Sequence, residues 1–276
     1  IFHDPEKKIT KQLGDGKLLS QLTKNKVVYN FRQNDLENGG QGAPLTPIYH
    51  NVLANKINQK FSLGFPINIL NIGGIANVTS TAKWEKLDDM NKIFAYDVGP
   101  GNCLIDEWIR KNSKNKYDKD GLCARSGKID ELVLNQAIEN FDENSNYYKS
   151  LDVNDFDIFF AKGLSLENGA ATITNFTSRL IANGMNHIHG KHQPQVFKWL
   201  VCGGGRKNRF LLECIKKNFE KIDINPIDKY EIDGDFIESQ AFAYLAIRSI
   251  KGLPISFPTT TRCQKSVTGG VLVNNF

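Results

Sequence analysis

Four short apolar runs in this chain each break at a cluster of glycines, and that repeated pattern limits the fold more than any other feature. Residues 27–29, 67–71, 93–97 and 196–202 read as strands, and they lead into Gly39-Gly40, Gly73-Gly74, Gly99-Pro100-Gly101 and Gly203-Gly204-Gly205. Helical spacing lies between and after them. It covers 45–61 with Pro44 and Pro47 at its start, then a helix capped by Asn102 with Leu104, Ile105, Trp108 and Ile109 on one face. Further helices are expected over 129–141, 166–183, 208–219 and 236–251, the last with Ala241, Phe242, Leu245, Ala246 and Ser249 inward. Strands alternating with helices give an α/β class. Residues 75–81 return beside 67–71 as a hairpin, which argues against a purely parallel sheet. The tail from Leu253 is rich in Pro, Thr and Gly and is assigned no element.

Bulk properties exclude several function classes. With 276 residues, 40% hydrophobic and 24% charged, the chain builds one large or two modest domains without staples. The net charge of +5 comes from scattered lysines such as Lys7-Lys8 and those of 111–116, which reads as a solvated surface rather than a nucleic-acid face. A mild positive field still favours anionic substrates such as ATP. The five cysteines, Cys103, Cys123, Cys202, Cys214 and Cys263, are odd in number and form no C-x-x-C pair. That excludes a disulfide framework and a structural zinc site and points to a reducing cytoplasm. No run of eighteen apolar residues spans a membrane, and the start, Ile1-Phe2-His3-Asp4-Pro5, has neither initiator Met nor signal peptide and reads as mid-protein.

Each glycine cluster admits two readings. Asn71-Ile72-Gly73-Gly74-Ile75-Ala76-Asn77 exposes backbone N–H groups to a phosphate, or is only a tight turn. Asp97-Val98-Gly99-Pro100-Gly101-Asn102 opens a helix, where an anion binds and Asp97 holds a metal-bound water, unless Asp97 is a strand-end turn residue. Val201-Cys202-Gly203-Gly204-Gly205-Arg206-Lys207-Asn208 leaves bare backbone for a flat ligand or phosphate. It fits neither the P-loop nor the dinucleotide fingerprint. The stretch from Phe31 to Leu45 sets Arg32, Asp35 and Gln41 around a glycine-rich bend, which suits a sugar and a carboxylate base, or a solvated loop capped by Asp35.

Taken in order, these motifs resemble the anhydro-N-acetylmuramic acid kinase family of the actin, hexokinase and Hsp70 superfamily. The matching stretches are FRQNDLENGGQGAPLTPIYH (31–50), NIGGIANVT (71–79), DVGPGNCLID (97–106), KSLDVNDF (149–156), SLENGAATITNFT (165–177), VCGGGRKNRFL (201–211) and ESQAFAYLA (238–246), with TGG (268–270) at the end. The resemblance implies an actin-like (ribonuclease H-like) two-domain ATPase fold, with residues 1–65 as part of the first domain and 66–276 as the second, the tail packing back on the first. It implies nucleotide contacts at Asn71, Gly73, Gly74, Asn77, Asp97, Gly99, Gly203, Gly204, Gly205 and Asn208. Asp35 matches the catalytic carboxylate, with Arg32, Gln41 and Glu238 toward the sugar. The implied substrates are ATP with Mg²⁺ and the anhydro sugar, with a homodimer as a further expectation. Water opens the 1,6-anhydro bridge while O6 takes the γ-phosphoryl group, giving N-acetylmuramic acid 6-phosphate for cell-wall recycling.

Two departures qualify the resemblance. The family's GTSLDG-like first phosphate loop is absent from this sequence, so the first domain is expected to be incomplete and the chain alone inactive. Arg262 stands where a glycine is expected, which would strain a left-handed backbone. The rival reading is an actin-like protein that senses muropeptide sugars without catalysis.

Overall fold

The computed structural model describes residues 2–83, 90, 92–141, 147, 149–189 and 197–276. The chain divides into two compact units, one of Ile1–Phe65, Thr81–Tyr96 and Phe236–Phe276, the other of Pro66–Ser80 and Asp97–Asp235. The chain first changes unit after Phe65. Residues 81–96 and the whole segment from 236 on group with 1–65.

The second unit is built on a sheet. Its strands are β4 (Ile67–Ile72), β5 (Ile75–Ser80), β6 (Phe94–Pro100, belonging to this unit from Asp97 on), β7 (Lys198–Cys202) and β8 (Asp223–Pro226), in the order β6-β5-β4-β7-β8. β4 and β5 form the expected hairpin, with Asn71 opposite Asn77 and Ile72 opposite Ala76. β7 lies parallel to β4 with Asn71 beside Cys202. That register has a direct consequence: Gly73-Gly74 and Gly203-Gly204-Gly205 emerge side by side at one end of the sheet. The start of the β7 run at Val196 lies outside the described residues.

Helices α4 (Cys103–Asn112), α5 (Leu122–Ser126), α6 (Glu131–Glu139), α7 (Leu166–His189) and α8 (Arg209–Lys217) complete this unit. α4 buries Leu104, Ile105, Trp108 and Ile109, the face read from their spacing. Asn102 corrects the reading at its start. It occupies the cap position but makes no capping bond, because its amide Nδ2 instead donates to the Gly73 carbonyl at 3.1 Å. α7 runs past the expected end at Asn183 and packs against α4, α5, α6, α8 and β5. A helix with so many neighbours is buried on most sides, and beside Ala170, Ala171, Ile173, Leu180, Ile181 and Met185 it buries the small polar Thr172, Thr174, Thr177 and Ser178. Gly169 leaves the space that the Trp108 ring fills.

The first unit holds β1 (Phe2–Asp4), β2 (Ile9–Lys11), α1 (Gly16–Thr23), β3 (Val27–Tyr29), α2 (Gln33–Glu37), α3 (Pro47–Phe61), α9 (Ile237–Ile250) and β9 (Val271–Val273). Its core gathers Leu45, Ile48, Met90, Ile93, Leu245, Ile255 and Phe257. The unassigned tail gains structure from a distant partner, as β9 pairs with β3, and from a bridge within itself between Ser256 and Val267. Along α9, Ala241 and Leu245 are buried as expected, and so is Arg248, whose Nε donates to the Pro254 carbonyl at 2.8 Å.

Candidate functional site

Three of the four glycine clusters come together in the second unit. The Gly73 carbonyl accepts from the Asn102 N–H at 2.8 Å, and the Gly74 carbonyl accepts from Gly101 and Cys103 N–H at 2.8 and 3.2 Å. A Cβ on Gly101 would collide with the Gly73 carbonyl, so only glycine lets the two turns lock. Asn71 Oδ1 accepts a weak bond from the Cys202 thiol at 3.6 Å and occupies the space a Cβ on Gly203 would need. Asn77 lies across the hairpin, its Oδ1 buried with no hydrogen-bond partner.

Asp97, buried in the middle of β6, accepts from the Leu151 N–H at 2.8 Å through Oδ2. This ties down the 149–156 segment named in the resemblance. Gly99 follows it with a φ of 150° and packs on Leu180.

Beyond the triglycine turn lies a cavity of about 650 Å³ walled by Asn102, Ile105 and Asp106 of α4, by 117–120, by Gly204 and 206–209, and by Leu212 and Pro226. Two residues named from the sequence, Gly204 and Asn208, line it directly. Asn208 caps α8 by accepting from the Leu211 N–H at 3.0 Å.

Sequence reasoning missed what holds this turn. Arg206 is buried and forks: Nε and Nη2 donate to Asp228 at 2.8 and 3.2 Å, while Nη1 donates to Asp235 at 2.9 Å and to the Gly203 carbonyl at 3.1 Å. Burial alone would lower the guanidinium pKa, but the bonds to both carboxylates outweigh it and hold it above its usual value. Those same bonds, with Lys207 added, depress Asp235 to about 2. The opposite wall, Tyr117 to Asp120, carried no sequence signal at all. Asp118 accepts from the Cys123 and Ala124 N–H groups at 2.9 Å each, and Asp120 adopts a left-handed φ of 59°.

The fourth cluster belongs to the first unit and builds a cradle around Asp35. Its carboxylate is 1% exposed; Oδ2 accepts from the Gly42 N–H and Oδ1 from the Thr261 hydroxyl, both at 2.6 Å. A Cβ on Gly40 would strike this carboxylate. Arg32 Nη1 donates to the Gly42 carbonyl at 2.8 Å. The Gln41 carbonyl meets His3 Nε2 at 2.9 Å, and its N–H donates to Thr261. Arg32, Asp35 and Gln41 thus meet in one bend. Burial pushes the neighbouring Cys263 thiol up to about 11, so it stays protonated. Arg262 has a φ of 67°, the left-handed backbone expected where it replaces glycine. Glu238 is exposed in the first turn of α9 and makes no hydrogen bond or ion pair among the described residues.

No group of three His, Cys, Asp or Glu among the described residues forms a metal cage. No helix among the described residues is long and apolar enough to cross a membrane.

Comparison with known proteins agrees with this geometry. The family model for anhydro-N-acetylmuramic acid kinase matches residues 1–275. Anhydro-N-acetylmuramic acid kinase of Pelagibacter ubique is 51% identical, the match covering 100% of this chain and 72% of the relative. The Rhodospirillum rubrum and Brucella canis proteins of that name are 39% and 38% identical, covering 98% and 99% of this chain and 68% and 70% of theirs. The solved activator of 2-hydroxyisocaproyl-CoA dehydratase from Clostridium difficile is similar only at a TM-score of 0.39 and 12% identity, over 72% of this chain and 68% of that one. With one family matched from residue 1 to residue 275, the chain belongs to the anhydro-N-acetylmuramic acid kinase family.

Proposed function

We propose that this protein is an ATP-dependent kinase that hydrolyses the 1,6-anhydro bridge of anhydro-N-acetylmuramic acid and phosphorylates O6. The product is N-acetylmuramic acid 6-phosphate. The observation that carries the reading is the match to the family over residues 1–275, within which Asp35 is held in a cradle made by the residues of the matching motif.

Asp35 acts as the base. It takes a proton from the water attacking C1, the C1–O6 bond breaks with its electron pair on O6, and O6 displaces ADP from the γ-phosphorus. Because the carboxylate is shut from solvent, that water reaches it only after the Thr261 hydroxyl or the 39–42 bend moves. Thr261 has a second acceptor to turn to, the Phe257 carbonyl at 3.4 Å. Arg32 and Gln41 hold the bend and orient the sugar, and Glu238 lies toward it. The hairpin at Gly73-Gly74, the Asp97–Gly99 turn and the triglycine turn take the nucleotide. Mg²⁺ neutralises charge on the phosphates, and Asp97 is the carboxylate assigned to its bound water.

The test is mass spectrometry of the anhydro sugar incubated with Mg-ATP and the protein. The 6-phosphate is expected from the wild-type protein and its loss in Asp35→Asn. Sugar binding without any product would replace the kinase with a sensor.

A further inference from the structure

The cavity beside the triglycine turn contains a carboxylate that the family reading leaves without a task. We propose that Asp106 recognises the ribose of the bound nucleotide, accepting hydrogen bonds from its hydroxyls. The inference rests on the nucleotide reading above and assigns one end of that pocket.

Most charged groups around the cavity are already committed to the protein. Asp118 gives both oxygens to the N–H groups that start α5. Asp120 accepts from the Arg209 N–H at 3.2 Å and lies 3.6 Å from the Arg209 guanidinium. Arg206 is forked between Asp228 and Asp235, and Lys207 pairs with Asp235 at 2.7 Å. Asp106 is half-buried in the wall, and its carboxylate has no hydrogen-bond or ion-pair partner among the described residues. A half-buried acceptor of this kind gains most from a ligand that brings donors.

Position along α4 decides which part of a nucleotide it meets. Asn102, at the start of the helix, is bonded to the Gly73 carbonyl and so marks the phosphate-hairpin end. Asp106 is four residues on, about 6 Å along the axis at the rise of an α-helix. A carboxylate repels phosphate, so it belongs beside the uncharged part of the ligand. One helical turn beyond the hairpin is also the order of reach from the phosphates to the ribose hydroxyls. Burial raises the Asp106 pKa and Asp118 adds to this, while Arg110 one turn further along lowers it. Donors from a ribose would favour the ionised form.

The experiment is calorimetric titration of the protein with Mg-ADP, Mg-2′-deoxy-ADP, Mg-3′-deoxy-ADP and Mg-IDP, for wild type, Asp106→Asn and Asp106→Ser. A charge-assisted bond predicts that wild type prefers ADP over at least one deoxy analogue by about tenfold or more. In both variants that preference should fall toward one, with deoxy binding little changed. Because the readout is a ratio within one protein, a general loss of stability does not mimic it. A wild-type ratio near one overturns the proposal, as does a variant that keeps the wild-type ratio. Loss of ADP-over-IDP discrimination alone would move Asp106 to the base and overturn the ribose assignment. Absence of ADP binding in folded wild type would instead overturn the nucleotide reading beneath it.

Discussion

Thr261 lies against the buried Asp35 carboxylate without being charged. Its hydroxyl donates to Asp35 Oδ1 at 2.6 Å and has the Phe257 carbonyl as an alternative at 3.4 Å. In Thr261→Val the buried carboxylate loses the hydroxyl that donates to Oδ1 while the volume of the site is kept. An unsatisfied buried group of this kind costs about 1–3 kcal/mol. We expect turnover to fall roughly tenfold or more with the KM for ATP unchanged, and Thr261→Ser to restore it. Steady-state kinetics on the three proteins checks this, and a rise in the ATP KM alone would contradict it. The sequence reading named Asp35 but not Thr261. The two are 226 positions apart, and pattern along a chain carries nothing about which hydroxyl folds onto which carboxylate.

At the scale of elements, legibility followed how local the cause was. The helix at Pro47–Phe61, the hairpin at Gly73-Gly74 and the apolar face of α4 all came from spacing and turn chemistry within a dozen residues. β9 was illegible because it exists only through β3, more than 240 positions earlier in the chain, as Val27 opposite Val273 shows. α1 escaped notice although Leu18, Leu19 and Leu22 have helical spacing, because it spans only eight residues in a polar stretch broken by Gly14 and Gly16. Of the cavity beside the triglycine turn, the glycine turn was read and the opposing 117–120 wall was not. The triglycine turn also depends on Arg206, whose fork holds the Gly203 carbonyl, Asp228 and Asp235 together. Arg206→Met should weaken Mg-ADP binding about tenfold in a titration. Arg206→Lys should recover only part, since an ammonium does not reproduce a planar fork. Unchanged ADP affinity in both variants would show that the turn holds its shape without the arginine.

For the whole molecule, acid is a specific weakness. His50 is buried in α3, and burial lowers its pKa from 6.5 to about 4. Above pH 6.5 the ring is neutral whether the chain is folded or not, and it costs nothing. Between pH 6.5 and 4 the unfolded chain takes up a proton that the folded one refuses, so stability falls as pH falls. The loss is complete below the folded value and amounts to something on the order of 3 kcal/mol. Urea unfolding at pH 7.5 and 5.0 should show it, and His50→Gln should flatten the slope between them. A slope unchanged in that variant would assign the acid sensitivity to other groups. The path of the backbone has a different consequence. Polypeptide passes between the two units after Phe65, Ser80, Tyr96 and Asp235, so neither unit is one uninterrupted stretch. A single-breakpoint recombination between this gene and a relative's, anywhere from codon 66 to codon 235, therefore mixes both parents within at least one unit. Exchange of one whole unit with the other left to its own parent requires breakpoints at all four crossings, which ties the two units to a shared evolutionary history.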